Sequence, residues 1–452
     1  MKKYFLALSI TASTVNAFSQ SVFPPMEKYK LKNGLEVFIV DYGTLPVTSV
    51  NFYVNTGRKN ETPGFQSIST LTCTALLLGN EKWSRIEQDN LLEQMGTSIS
   101  SSVNDSYTRV NADFLNKDIE KGMEIMSQVM LHPKFPKDDI GTMIKQQIDY
   151  NNPKKMDITK LVSVFSDNFV YGTANPLGRY FYASQLQKIT HDSINEFYKF
   201  NYTPKNTKLV ISGKCDHEKI KKLIEQYFGT WTAAYGEVNG VSYDILPLKK
   251  KEYGFINKTK APQSALQWNK KAPEARSKDL IPFQLANAVF SDLLFKEIRS
   301  KDGYTYGIGS GFSVADNNGI YVISTLVRSE VTYATVTEFD RVLKEFYDKG
   351  LTEEQLKTGK IRMKGNIEGM ETPDQLVAFI NPILYPDYEK RKQLLDEIDK
   401  LDLATVNKMV KKYFTPDSYK LVISGDETVL TEQLGKIPGL IKFDPKAIEV
   451  NN

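Results

Sequence analysis

The segment Tyr202-Thr203-Pro204-Lys205-Asn206-Thr207-Lys208-Leu209-Val210-Ile211-Ser212-Gly213 returns later as Phe414-Thr415-Pro416-Asp417-Ser418-Tyr419-Lys420-Leu421-Val422-Ile423-Ser424-Gly425. The offset is 212 residues (420 − 208), and the identity Lys-Leu-Val-Ile-Ser-Gly is unbroken, with Thr-Pro aligned ahead of it. The register holds upstream, where Ile194-Asn195 corresponds to Val406-Asn407 within stretches of matching helical character. A run of this kind is hard to obtain by chance. A period this long marks duplicated domains, not a solenoid of short repeats.

Each copy carries the same succession of elements. An amphipathic helix (Asp192 to Phe200; Leu403 to Tyr413) leads through a Pro-marked turn into the apolar strand. A further helix follows at Glu218 to Tyr227, and a degraded one at Glu427 to Gly435. The first copy opens with Tyr29, Leu31, Leu35, Val37 and Ile39 alternating around Asn33-Gly34, a hairpin-turn dipeptide, and continues with a strand from Val47 to Val54. The second opens with strands at Tyr253 to Asn257 and Ser264 to Trp268. In the middle, Ile68, Leu71, Ala75 and Leu78 define one apolar helix face, and Ile119 to Met130 and Val336 to Tyr347 form later helices. The pattern breaks at Gly236, Asn239, Gly240 and the lysines 249–251. Two similar α+β domains, each an antiparallel sheet plus helices, are therefore expected at 21–238 and 251–452, joined by a linker at 239–250.

The bulk numbers agree. The chain has 452 residues, 41% hydrophobic and 11% aromatic, enough for two to four cores at about 150 residues per domain. A net charge of +4 is small for this length, and Lys249-Lys250-Lys251 reads as a solvated linker face, so nucleic acid is not an expected partner. Met1-Lys2-Lys3, the apolar or small run Tyr4 to Val15, and Asn16-Ala17-Phe18-Ser19-Gln20 compose a secretory signal over residues 1–20, cut between Ala17 and Gln20. Elsewhere no run of about 18 apolar residues occurs, so no membrane span is expected, and the mature chain is expected to be soluble outside the cytoplasm. Cys73 lies inside an apolar helical pattern and Cys215 after a Ser-Gly turn, which favours a buried thiol and a loop thiol over a disulfide.

Several motifs give the chain a resemblance to the pitrilysin/insulinase family of zinc peptidases. Leu31-Lys32-Asn33-Gly34-Leu35 is similar to the family's opening Leu-x-Asn-Gly strand, and Gly57-Arg58-Lys59-Asn60-Glu61-Thr62-Pro63-Gly64 to its Gly-Ser-x-x-Glu-x-x-Gly loop. Leu294-Phe295-Lys296-Glu297-Ile298-Arg299 with Gly303-Tyr304-Thr305-Tyr306 resembles its second-half signature. The resemblance covers nearly the whole mature sequence and implies two α+β halves closing around a cavity.

Active members carry His-x-x-Glu-His on the helix after that loop. Two imidazoles at i and i+4 grip Zn²⁺, the Glu activates water, and a later Glu completes the ligands. Aligned between Gly64 and Gly79, these positions read Thr70-Leu71-Thr72-Cys73-Thr74, and the later ligand falls near Gln146-Gln147. Thr70, Cys73, Thr74 and Gln147 are thus the lost metal positions, since hydroxyls and one possible thiolate make no zinc site. The whole chain has three histidines, His132, His191 and His217, none within four residues of another. They read as a turn residue, a helix-start residue and a surface residue. Cys215 with His217 is a weak nucleophile pair, because adjacency in sequence is not the required geometry. Gly307-Ile308-Gly309-Ser310-Gly311 is neither a nucleophile elbow nor a complete dinucleotide loop. No metal or other cofactor is expected in this chain.

The resemblance also implies that Arg299 and Tyr306 match the Arg/Tyr pair with which the family's second half holds the substrate carbonyl and the developing oxyanion. Such donors contribute about 3 kcal/mol each. A helix at Asp292 to Arg299 and a strand at Tyr304 to Phe312 would set both at the mouth of one turn. From residue type alone, Arg299 also reads as a helix C-terminal charge and Tyr306 as a packed aromatic. Gly307, Gly309 and Gly311 leave a backbone to which an extended peptide could add as a strand, or mark a twisted strand. The chain then fits the non-zinc subunit of a heterodimeric metallopeptidase, exported (periplasmic in a Gram-negative source), whose homologous partner brings the zinc and whose substrates are unstructured peptides. The alternatives are an inactive scaffold or peptide-binding subunit, and a degenerate chain without a partner.

Overall fold

A computed structural model describes residues 23–180, 183–232, 248–314 and 319–444. The expected leader, residues 1–20, lies outside them, as do residues 239–247 of the expected linker. The strands pair into two six-stranded sheets. The first contains β1 (Met26–Lys30), β2 (Glu36–Val40), β3 (Val47–Val54), β4 (Ser100–Val103), β5 (Thr108–Leu115) and β6 (Thr207–Gly213), ordered β1-β2-β6-β3-β5-β4. The second contains β7 (Lys251–Asn257), β8 (Gln263–Ala272), β9 (Thr305–Val314), β10 (Gly319–Arg328), β11 (Tyr419–Gly425) and β12 (Ile441–Phe443), ordered β12-β7-β11-β8-β10-β9.

Five strands correspond one to one, β2-β6-β3-β5-β4 with β7-β11-β8-β10-β9. The repeated segment forms β6 and β11, and each pairs in parallel on one side and antiparallel on the other. Even an ion pair recurs. Lys208 faces Glu36 across β6/β2 with Nζ 2.9 Å from the carboxylate, and Lys420 faces Glu252 across β11/β7 at 3.6 Å. Only the sixth strand differs, β1 joining antiparallel through the Asn33-Gly34 hairpin and β12 joining β7 in parallel. Gly213 ends β6 at φ 146°, where a Cβ would lie 2.2 Å from the Val47 carbonyl oxygen, so only glycine fits.

The two faces of each central strand are covered differently. Leu209 and Ile211 point into a core shared with helices Ile68–Ala75, Ile119–Leu131, His191–Asn201 and His217–Phe228. Leu421 and Ile423 point into a second core, under helices Leu280–Leu294, Thr332–Lys349 and Leu403–Tyr413. The opposite faces are covered by helices exchanged between the halves. Phe165 and Val162 of helix Ile158–Tyr171 pack on Val422, Ile256 and Ala265 of the second sheet. Val377 of helix Pro373–Ile380 packs on Val210, Phe38 and Tyr53 of the first. Phe165 and Val377 are themselves 212 apart (377 − 165), so the exchange follows the duplication.

Local chemistry starts and stops these helices. Asp157 caps the first by accepting from Lys160 N at 2.8 Å, and Gly172 at φ 73° ends it. Thr372 caps the second, with Pro373 in its first turn. Polar contacts cross as well. Lys420 Nζ donates to the Phe169 carbonyl at 2.6 Å, Tyr42 Oη donates to the Met370 carbonyl at 2.8 Å, and Arg109 pairs with Asp374.

One expected boundary is corrected. The helix placed at 292–299 is the tail of a longer one, Leu280–Leu294, which continues as a π-helical segment Phe295–Lys301. Leu280, Ile281, Phe283, Leu285, Ala286, Val289 and Phe290 are buried around most of its circumference, so no apolar stripe announces its start. No helix of the described residues is long and apolar enough to cross a membrane.

Two predictions follow from this packing. Phe165→Ala removes a ring that stacks on Phe443 at 5.3 Å and lies tilted against Tyr180 at the same distance, and should cost about 4 kcal/mol. Hydrogen exchange should then quicken in β6 as well as β11, whereas quickening in β11 alone would mean that the halves are independent. Lys270 is buried, donates to the Thr415 and Ser418 carbonyls, and is pushed down to about 7 by burial, with Lys251 adding to the effect. From that value up to the ordinary lysine range, the unfolded chain binds one proton more than the folded chain, so stability rises with pH. Denaturation midpoints measured from pH 7 to 9 should show this rise relative to Lys270→Met.

Candidate functional site

The helix Ile68–Ala75 begins without a capping side chain of its own. Its Ser67 N-cap sits in the left-handed region at φ 71°. Glu61, reaching back from the preceding loop, supplies the cap. Its carboxylate accepts from Ser67 N at 3.0 Å, Ser69 N at 3.3 Å and the Ser69 hydroxyl. A carboxylate at a helix N-terminus meets the positive end of the dipole and unpaired N–H groups. Burial nonetheless raises the Glu61 carboxyl above its usual range. The loop is fixed by Arg58, whose guanidinium lies 3.3 Å from Asp105 and 3.5 Å from Asp167 and donates to the Leu177 carbonyl at 3.3 Å.

The positions that the family resemblance aligns with a zinc motif are split by the turn of this helix. Thr70 is half-buried and Thr74 exposed, on one outward face, while Cys73 is buried in the core beside Ser101 and Tyr202. Burial pushes the Cys73 thiol up to about 11, so it offers no thiolate near neutrality. Gln147, on helix Lys137–Tyr150, comes to the start of the same helix, its amide donating to Ser67 Oγ at 3.2 Å. The outward face thus presents hydroxyls and an amide, with no imidazole or carboxylate from these positions.

Arg299 lies within the π-helical segment, exposed, its guanidinium 4.4 Å from the centre of the Phe295 ring. The Gly303 N–H donates to the Arg299 carbonyl at 3.1 Å, and Gly303 at φ 64° turns the chain into β9. Tyr306 follows at the head of β9 and is 91% exposed, which sets aside the packed-aromatic reading of this side chain. A register shift opposite Thr325 and Val327 accounts for its outward aim. Thr325 Oγ1 donates to the Gly307 carbonyl at 2.9 Å, and the Gly307 N–H donates to Thr305 Oγ1 at 3.0 Å, pinning the bulge. Tyr306 and Gly307 line a groove of about 370 Å³ with Thr159 and Val162 of the exchanged helix and Gln263 and Gln267 of β8. Gly307, Gly309 and Gly311 are exposed on one face of β9, the edge strand, with nothing within 4 Å of an added Cβ.

Arg299 and Tyr306 therefore share one turn, while Thr70 and Thr74 belong to the other half. Among the described residues no hydrogen bond or ion pair joins the two sets. The histidines are dispersed. His132 is 3.5 Å from Glu81, His191 is 2.8 Å from Asp192, and His217 lies between Glu27 at 3.3 Å and Asp41 at 3.1 Å. Both cysteines are free thiols. Sequence reasoning missed the Arg58 clamp and the Asp41–His217 contact, since their partners come from distant segments.

Glu61→Ala should strand three donors at the start of the helix and cost about 3 kcal/mol, whereas Glu61→Gln, which keeps an acceptor, should lose less than half of that. Urea unfolding compares the two, and equal losses would show that the carboxylate does not cap.

Comparison with known proteins places this architecture. The family model described as Insulinase (Peptidase family M16) matches residues 37–165, and that described as Peptidase M16 inactive domain matches residues 188–363, together more than half of the chain. An uncharacterized zinc protease of Bacillus subtilis (strain 168) is 20% identical over 411 residues, 88% of this chain and 98% of the relative. The peptidase M16 inactive domain from Pseudomonas fluorescens superposes with a TM-score of 0.82 at 18% identity, covering 89% of this chain and 98% of that one. The periplasmic protease PqqL from Escherichia coli superposes at 0.76 and 16% identity, covering 94% of this chain and 49% of that one. This chain belongs to the pitrilysin/insulinase (M16) peptidase family, and it lacks that family's zinc motif.

Proposed function

We propose that this chain is the non-zinc subunit of an exported two-chain metallopeptidase. Its partner, a homologue carrying His-x-x-Glu-His, holds the zinc and the general base. This chain supplies Arg299 and Tyr306, which bind the carbonyl of the scissile peptide and stabilise the oxyanion that forms as water attacks. The observation that carries the reading is the placement of these two donors. Both are exposed on one turn, at the head of an edge strand, in a chain whose own helix Ile68–Ala75 carries only Thr70 and Thr74 outward. A guanidinium and a phenol facing solvent stabilise little within their own fold, and they suit a group arriving from outside. Gly307, Gly309 and Gly311 give an extended, unstructured peptide backbone room to lie along β9. The basic and apolar start of the chain supports export, to the periplasm in a Gram-negative source.

A binding-only subunit is favoured by one feature, the bare glycine face, which needs no chemistry to hold a peptide. Mixing the chain with a zinc-motif homologue encoded beside it separates the two readings. Neither chain alone should cleave a fluorogenic unstructured peptide, and the mixture should. Arg299→Ala and Tyr306→Phe should each lower kcat/KM about 100-fold, the loss of one oxyanion donor. A mixture that is inactive, or indifferent to both substitutions, would leave the scaffold reading standing.

A further inference from the structure

We propose that Asp41, Cys215 and His217 form a binding site for a zinc-class divalent cation, separate from the helix Ile68–Ala75 and independent of the peptidase reading. The site is built by the sheet. β2 and β6 run parallel and end together, Val40 opposite Ser212. The residues just past their ends therefore emerge side by side, bringing Asp41 to Cys215, while His217 opens the helix His217–Phe228 next to them. One ligand atom from each residue lies within 4.8 Å of the other two. Asp41 is exposed and the other two half-buried, so a hydrated ion can reach the cluster.

The surroundings match those of a ligating histidine. Nδ1 of His217 lies 3.3 Å from Glu27 Oε2, and Nε2 lies 3.1 Å from Asp41 Oδ1. A carboxylate behind an imidazole fixes the N–H on one nitrogen and frees the other for a metal. Glu27 is itself held by Lys221, one turn along the same helix, at 2.7 Å. Thiolate, imidazole and carboxylate together select Zn²⁺ or a similar borderline ion over Mg²⁺ or Ca²⁺, with water at the fourth position. Burial, with the Asp41 charge adding to it, pushes the metal-free Cys215 thiol up to about 11, so the ion has to displace the thiol proton to solvent as it binds, together with any proton on the ligating His217 nitrogen. The ion accepts one lone pair from each side chain and clips the ends of β2 and β6 to the helix start. Without a cation, the side chain of His217 bridges Glu27 and Asp41 by hydrogen-bond contacts in which Cys215 has no part, and this gives the test its contrast.

The test is an anaerobic titration of the full mature chain with Co²⁺, whose thiolate complexes absorb in the near ultraviolet. One equivalent should produce the sulfur-to-cobalt charge-transfer band, and Zn²⁺ should abolish it by displacement and raise Tm. Cys215→Ser should lose the band, and Glu27→Gln should weaken binding by about tenfold, with far-ultraviolet circular dichroism unchanged in both. A wild-type chain that shows no band at stoichiometric Co²⁺ overturns the proposal without recourse to any variant. A band surviving Cys215→Ser overturns it equally.

Discussion

Each sheet depends on a helix that belongs to the other half. Val210 and Val422 occupy equivalent positions on β6 and β11, and each is fully buried beneath the exchanged helix. Without that exchange, one face of each sheet would meet water with its valines, Phe38, Tyr53 and Ile256. Burying a side chain of this kind is worth about 2 kcal/mol. The repeated segment records this constraint. A strand covered on both faces reads as a continuous apolar run, not as an alternation, and Leu-Val-Ile is such a run in both copies. The lysine before it is tolerated because its stem packs while its ammonium pairs with the glutamate across the parallel ladder.

Much of the fold was legible for this reason. The offset of 212, the Thr-Pro turn and the Asn33-Gly34 hairpin specify strands and helices through short-range chemistry, and the observed elements fall where they point. The exchange was not legible. The apolar faces of Ile158–Tyr171 and Pro373–Ile380 look the same whether they cover their own sheet or the opposite one, because periodicity gives the face and not the partner. The helix Leu280–Leu294 was half-missed for a related reason, since a helix buried nearly all round has no stripe to read. At the site, alignment grouped Thr70, Cys73 and Thr74, but helix rotation separates them, the thiol into the core and the hydroxyls outward. Asp41 meets His217 only because two parallel strands end together, a long-range fact that neither sequence neighbourhood carries.

The helix that the resemblance aligns with the zinc motif carries no imidazole or carboxylate, and it is a well-anchored helix. Glu61 still neutralises its first turn, Arg58 still ties the loop to Asp105 and Asp167, and Gln147 still reaches Ser67. The Glu61 carboxylate and its partners are buried, away from the face that carries Thr70 and Thr74, so the side chains on that face can differ without disturbing this capping. A chain can therefore lose the metal and remain the same body for a partner to dock against.

The chemistry left on that body is one-sided. Peptide hydrolysis by a metal needs an ion to polarise the carbonyl, a base to take the proton from water, and donors aimed at the oxygen where charge develops. In this chain the zinc-motif positions contribute neither of the first two, while Arg299 and Tyr306 can contribute the third. Oxyanion donors act only on charge that something else generates, and they act best where water is excluded. Exposed on a chain standing alone, a phenol and a guanidinium are solvated and nearly inert. Under the proposed reading, a second chain bringing an ion to their side of the β9 turn would place the same two groups in a low-dielectric pocket. On the proposed division of labour, the exposure of Tyr306 would belong to an incomplete assembly, and the bulge that turns it outward is what that arrangement requires.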